Sequence, residues 1–288
     1  MRRWEELNKE YANKGLRFFT AYANSHPLAT IEAKIKDLSL TLPVATDGYY
    51  HSRFFAPLLC VIWVIGVDGK VIHVGQEGWE QAALTELKKV KYPGLGTQTV
   101  AAPLESAAKA YGEGKLGEAA KLAEAVEKGD FDDKVVAEAE ALGKRISERR
   151  RLLELRADTE EVCGDYNVAL ACWNELGARF GEIEYERSPK EELARIQKLP
   201  DFAAERAARR AFIDARQNAF ACFDNLNNDK KKQAAACDKA RKLMAEFIAA
   251  NKERRAAGTA QELIEVWDAW KEELEAESKE KEKPAETK

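Results

Sequence analysis

Apolar and polar positions along this chain change rhythm once, close to residue 97. Before it, short apolar runs alternate with short amphipathic stretches. Trp4 to Asn13 carries Trp4, Leu7 and Tyr11 at helical spacing, with Gly15 placed as the helix stop. Leu16 to Tyr22 is a compact aromatic run that predicts a buried strand. Leu28 to Leu38 returns to helical spacing through Leu28, Ile31, Ile35 and Leu38, and Leu42 to Ala45 is a brief extended piece before the turn residues Thr46-Asp47-Gly48. Val61 to Val67 is unbroken in apolar character, which predicts a central strand buried on both faces. Asp68-Gly69 then predicts a hairpin turn into Lys70–Val74, and Trp79 to Val90 a closing helix. The expected order is α-β-α-β-β-α, an α/β unit with one mixed sheet covered by helices.

Beyond the linker at Thr97 to Pro103 the period is helical throughout. Val135, Ala139, Leu142, Ile146 and Leu153 form one stripe; Phe212, Ala219, Phe223 and Leu226 a second; Leu243, Phe247 and Ala250 a third. A faint repeat is present, in which Glu113-Gly114-Lys115-Leu116 through Ala120 matches Cys163-Gly164-Asp165-Tyr166 through Leu170. This resembles the turn inside a tetratricopeptide helix pair. Trp173, Leu176, Gly177 and Phe180 echo that repeat's opening in another register, Ser188-Pro189 interrupts the pattern, and no strict 34-residue period is visible. The expectation is an all-α, TPR-like array of helical hairpins. The boundaries are residues 1–96 for the α/β unit, 97–275 for the helical one, and 276–288 for a charged tail with too little apolar content to fold.

Three stretches of the first unit, LNKEYANKGLRFF (7–19), IKDLSLTLPVATDG (35–48) and VIWVIGVDGKVIHVG (61–75), resemble the thioredoxin superfamily, in particular its TlpA-like, redoxin branch. The resemblance implies a thioredoxin-like fold and thiol–disulfide oxidoreductase ancestry. It also exposes two departures. In that family a strand ending in Trp-Cys-x-x-Cys leads into the first helix, and laid against Tyr11 to Leu16 this motif falls just upstream of Met1. The expectation is therefore either a natural protein that starts earlier, with Met1 an internal methionine, or a degenerate domain whose gap another segment or another chain fills. The family's cis-proline precedes the strand matching Val61–Val67, and that position is Cys60; Pro57 lies three residues earlier.

Dithiol chemistry requires a thiolate of lowered pKa. Cys60 sits in the apolar run Leu58 to Trp63, where burial makes a thiol inert, and His51 follows Tyr49-Tyr50 in the loop that would face the site. These two are the only catalytic candidates. Cys163, Cys172, Cys222 and Cys237 are scattered over predicted helices; Cys222 and Cys237 flank Asn227-Asn228-Asp229 and so stand where a helical hairpin would bring them together. His26, His51 and His73 share no metal-ligand spacing, and no phosphate loop or nucleophile elbow occurs, so neither cofactor nor metal is expected.

A net charge of −4 argues against nucleic acid as the principal partner, with Arg149–Arg151 and Lys230–Lys232 read as helix-face and turn charge. No apolar stretch approaches the ~20 residues of a membrane span. The chain as written reads as cytoplasmic, and as periplasmic if a missing N-terminus holds a signal peptide, as in bacterial relatives of the TlpA type. The functional expectation is a thioredoxin-fold protein inactive in thiol exchange as written. The alternative is a non-catalytic scaffold binding a protein or peptide partner through its helices.

Overall fold

The computed structural model describes residues 2–21, 28–45, 62–96, 99–181, 183, 186–223, 226 and 229–282. Helix α1 (Arg2–Tyr11) passes into a short 3-10 turn and stops at Gly15, whose φ of +109° suits glycine. Strand β1 (Thr20–Ala21), helix α2 (Leu28–Asp37), strands β2 (Val44–Ala45), β3 (Trp63–Ile65) and β4 (Val71–Val74), and helix α3 (Trp79–Leu87) follow. The expected elements arise in their order, but the extended piece at Val44–Ala45 adds a fourth strand, and the strands are shorter than the apolar runs. Among the described residues they form two separate ladders in place of one mixed sheet: β1 beside β2 in parallel, and β3 antiparallel to β4 with an irregularity at Val64/Ile65. No described strand lies between β1 and β3 to join them. Nor is the Val61–Val67 run a strand buried on both faces. Val64 is buried, whereas Ile65 is 54% exposed; among the described residues β3 pairs only with β4, and α3 packs against this hairpin.

What holds α1 down is a buried acid. Glu5 accepts hydrogen bonds from the Thr41 and Leu42 amides at 2.8 and 3.3 Å and from the Thr41 hydroxyl at 2.5 Å, with Lys9 3.4 Å away. Burial pushes its carboxyl up, but the Thr41, Leu42 and Lys9 donors outweigh this and hold it below the usual carboxylate range. Trp79 anchors the same region, with the rings of Trp4 and Phe18 meeting it edge-on at 6.5 and 6.0 Å.

The rest of the molecule is helical: α4 (Glu105–Gly112), α5 (Leu116–Glu127), α6 (Asp133–Val162), α7 (Tyr166–Phe180), α8 (Pro189–Gln197), α9 (Phe202–Ala221), α10 (Lys230–Ala250) and α11 (Arg255–Glu282). Starts are set locally. Asp132 accepts the Lys134 and Val135 amides at 3.0 Å, Asp165 the Val168 amide, Asp229 the Lys232 amide, and Pro189 opens α8. From α4 to α8 and again from α9 to α11, successive helices pack as neighbours around two apolar cores. Val135, Ala139, Leu142 and Ile146 enter the first core with Leu104, Leu116, Tyr166, Trp173, Leu176 and Phe180. Phe212 and Ala219 enter the second with Met244, Phe247, Ile264 and Trp267. On α10 the buried positions are Ala236, Cys237, Ala240, Met244 and Phe247, while Leu243 is only half-buried and Ala250 exposed.

One boundary is corrected. The charged segment expected to be unfolded from residue 276 continues α11 to Glu282. Its Glu, Lys and Ala residues are strong helix formers, and Lys271 pairs with Glu275 one turn on while Lys230 of α10 reaches Glu277.

Candidate functional site

The thiols come first, because the sequence directs attention to them. Cys60 and His51 lie outside the described residues, as do His26 and Pro57. The other four cysteines are free, so the hairpin between α9 and α10 does not join Cys222 to Cys237. Burial pushes the Cys172 thiol up and the Cys237 thiol up to about 11, which removes their nucleophilicity near neutrality. Cys222 is half-buried, its Sγ 3.6 Å from the Asn218 carbonyl, and Cys163 is exposed at the end of α6. His73 pairs across the ladder with Val64; its Nε2 is buried and without a hydrogen-bond partner, beside Gly75 and Gly78. Among the described residues no group of three or more metal-ligating side chains comes together.

A cleft of about 480 Å³ opens where Asn13 and Lys91–Pro93 meet α4, lined there by Glu105, Ser106, Lys109 and Glu113. Its two lysines and two glutamates alternate in sign, and Pro93 packs so tightly on Gly112 that a Cβ there would sit 2.9 Å from it. The arrangement is that of a seam between the first unit and the helices.

The faint repeat marks a real structural equivalence. Gly114 and Gly164, 50 residues apart, adopt φ of +82° and +78°. In each turn the glycine amide bonds the carbonyl three residues back and the next amide the carbonyl five back: Gly114 to Tyr111 and Lys115 to Ala110, then Gly164 to Glu161 and Asp165 to Glu160. Leu116 and Tyr166, then Ala119 and Ala169, follow at equivalent buried positions. Pairs α4–α5 and α6–α7 are thus two hairpins closed by one turn design. Each turn is also covered by an arginine from a later helix. Arg179 of α7 approaches the Gly114 carbonyl at 3.4 Å, and Arg255 of α11 donates to the Glu161 carbonyl at 2.5 Å.

The second turn gathers a polar cluster with no counterpart at the first. Asp165 accepts from Arg209 at 2.9 Å, the Tyr166 hydroxyl donates to Asp201 at 3.2 Å, and the Arg255 guanidinium lies 5.6 Å over the Tyr166 ring. Burial pushes the Tyr166 phenol up. Glu205, only 3% exposed, accepts the Arg255 amide at 3.2 Å and so caps α11 from a different helix. Of these residues only Asp165 and Tyr166 carried a signal in the sequence, as part of the repeat.

The exposed side of α6 supplies the remaining feature. Leu152, Leu155 and Val162 are 50%, 54% and 75% exposed and fall at i, i+3 and i+10 with Thr159 between them, a single apolar stripe on a helix of 30 residues. Among the described residues no helix is long and apolar enough to cross a membrane. Comparison with known proteins returns no match: no family model, curated relative or solved structure aligns with this chain.

Proposed function

We propose that this chain is a non-catalytic interaction protein whose helical hairpins bind a protein or peptide partner. The observation that carries the reading is the repeated hairpin, α4–α5 and α6–α7 closed by the same glycine turn, which builds α6 into an extended surface bearing Leu152, Leu155 and Val162 outward. Stacked helical hairpins of the TPR type bury their own cores between neighbours and leave continuous surfaces for partners. The first unit is a thioredoxin-like relic of redoxin ancestry. That reading rests on the resemblance of residues 7–19, 35–48 and 61–75, and the two separate two-stranded ladders add nothing to it. Attack on a disulfide and release of the product need a thiolate and a resolving cysteine; the first unit carries no Cys-x-x-Cys, and its one cysteine, Cys60, stands where the resemblance places the cis-proline.

The test pairs a binding assay with an activity assay. A partner recovered with the intact chain, then purified, binds it directly and loses at least about ten-fold in affinity to the variant Leu152→Glu/Leu155→Glu, whose helix content is unchanged. Equal binding by that variant removes α6 from the reading. Catalytic turnover in insulin reduction overturns the non-catalytic assignment itself.

A further inference from the structure

The two apolar cores share no residue. The first runs from Leu95 to Ile196 and the second from Phe212 to Leu274. Helix α9 belongs to both, with Phe202 packed on the first core and Phe212 inside the second. Between those two phenylalanines the helix buries an acid, Glu205, and one small residue, Ala208. Apolar packing therefore stops at mid-helix, and a polar seam takes over. In it Arg209 meets Asp165, Glu205 meets the Arg255 amide and stands 3.9 Å from Arg254, and Arg255 reaches both the Glu161 carbonyl and, at 3.7 Å, Asp201. The end of α6, the start of α7, the first half of α9 and the start of α11 all converge there.

Apolar contacts are non-directional and tolerate sliding, whereas buried charge-assisted hydrogen bonds hold in one geometry and fail together. We infer that the helical array is a two-body device: α10, α11 and the second half of α9 form one cooperative body, α4 to α8 the other, and the seam around Glu205 and Arg255 is the joint about which the second body moves. A partner gripping both bodies would thereby select one joint angle.

Hydrogen exchange on the full chain tests this. Phe247→Ala, in the second core, is expected to accelerate exchange by about ten-fold or more across 212–274 and to leave 116–180 within about two-fold of wild type; Ile146→Ala is expected to do the reverse. The seam variant Glu205→Gln/Arg209→Gln should leave both bodies protected, open the amides at 164–168 and 254–257, and enlarge the radius of gyration in solution scattering. Acceleration of both bodies by either core variant makes the array one cooperative unit and overturns the inference. So does a seam variant that opens nothing, or one that unfolds both bodies.

Discussion

At the scale of single residues, the described thiols and one acid carry the sharpest expectations. Cys237 is 2% exposed with its thiol pushed up to about 11, and Cys172 is shifted the same way by burial, whereas Cys163 is exposed. In the native protein at pH 8, a thiol reagent should modify Cys163 readily and Cys172 and Cys237 only after unfolding; mass mapping of labelled peptides reads this directly. Rapid native labelling of Cys237 would show that its helix opens on the labelling timescale. Glu5 has a carboxyl held below its ordinary range, so its charged form stabilises the fold. That contribution is complete above the unfolded value, about 4.3, and is lost as pH falls through the lower folded value. Glu5→Gln should therefore cost about 2 kcal/mol at pH 7, the worth of charge-assisted bonds to Thr41 and Leu42, and progressively less below pH ~4. Urea unfolding at a series of pH values, followed through the Trp4–Trp79 pair, measures it.

At the scale of elements, the repeated turn makes a comparative prediction. Alanine at either Gly114 or Gly164 forces a left-handed conformation that costs an L-residue about 1–2 kcal/mol. At Gly114 the added methyl meets only the Arg179 guanidinium, at 3.7 Å. At Gly164 it lies 3.2 Å from both the Arg255 stem and the Glu205 carboxylate. Gly164→Ala should therefore lose more stability than Gly114→Ala, and the excess should shrink without vanishing in an Arg255→Ala background, where the Arg255 Cβ and the Glu205 carboxylate remain; chemical denaturation of the two glycine variants and their parent in both backgrounds resolves it. The same pair of turns shows how far sequence reading reaches. Helix signals written in local order, such as Asp132 before α6 or the Gly114 and Gly164 repeat, are legible because cap, glycine and first buried residue sit within a few positions. The antiparallel pairing of β3 with β4 is legible too, because the Asp68-Gly69 turn lies between them; the absence of one joint sheet is not, since an apolar run states that a strand can be buried without stating what covers it. On α10 the eye goes to Leu243 and Ala250, yet Ala236, Cys237, Ala240 and Met244 do the packing, because close approach to α9 and α11 favours small and flexible side chains. The seam was invisible for a different reason. Arg209 meets Asp165 across 44 positions and Arg255 meets Glu161 across 94, and no periodicity encodes such distances.

At the scale of the whole molecule, the first unit is fastened to the helices at two places of different character. One is the close-packed seam of Pro93 on Gly112 and Gly94 on Tyr111. The other is a polar clasp on α9: Arg210 grips Glu32 of α2 with bonds of 2.8 and 2.6 Å, and Asp214 accepts the Leu28 amide at 3.3 Å, capping α2 from outside. Arg210 and Glu32 are half-exposed, so their attraction is screened by salt; the clasp positions α2 more than it stabilises the fold. Glu32→Ala/Asp214→Ala should accordingly leave the unfolding midpoint of the helices nearly unchanged while exchange of the first-turn amides of α2 rises several-fold. Wild type moved from about 0.05 to 0.5 M salt should shift the same way, only less, because the cap at Asp214 is the more sheltered contact. If α2 keeps its protection in the double variant, then Ile31, fully buried on its inner face, is what holds the helix, and α9 serves α2 only as a neighbour.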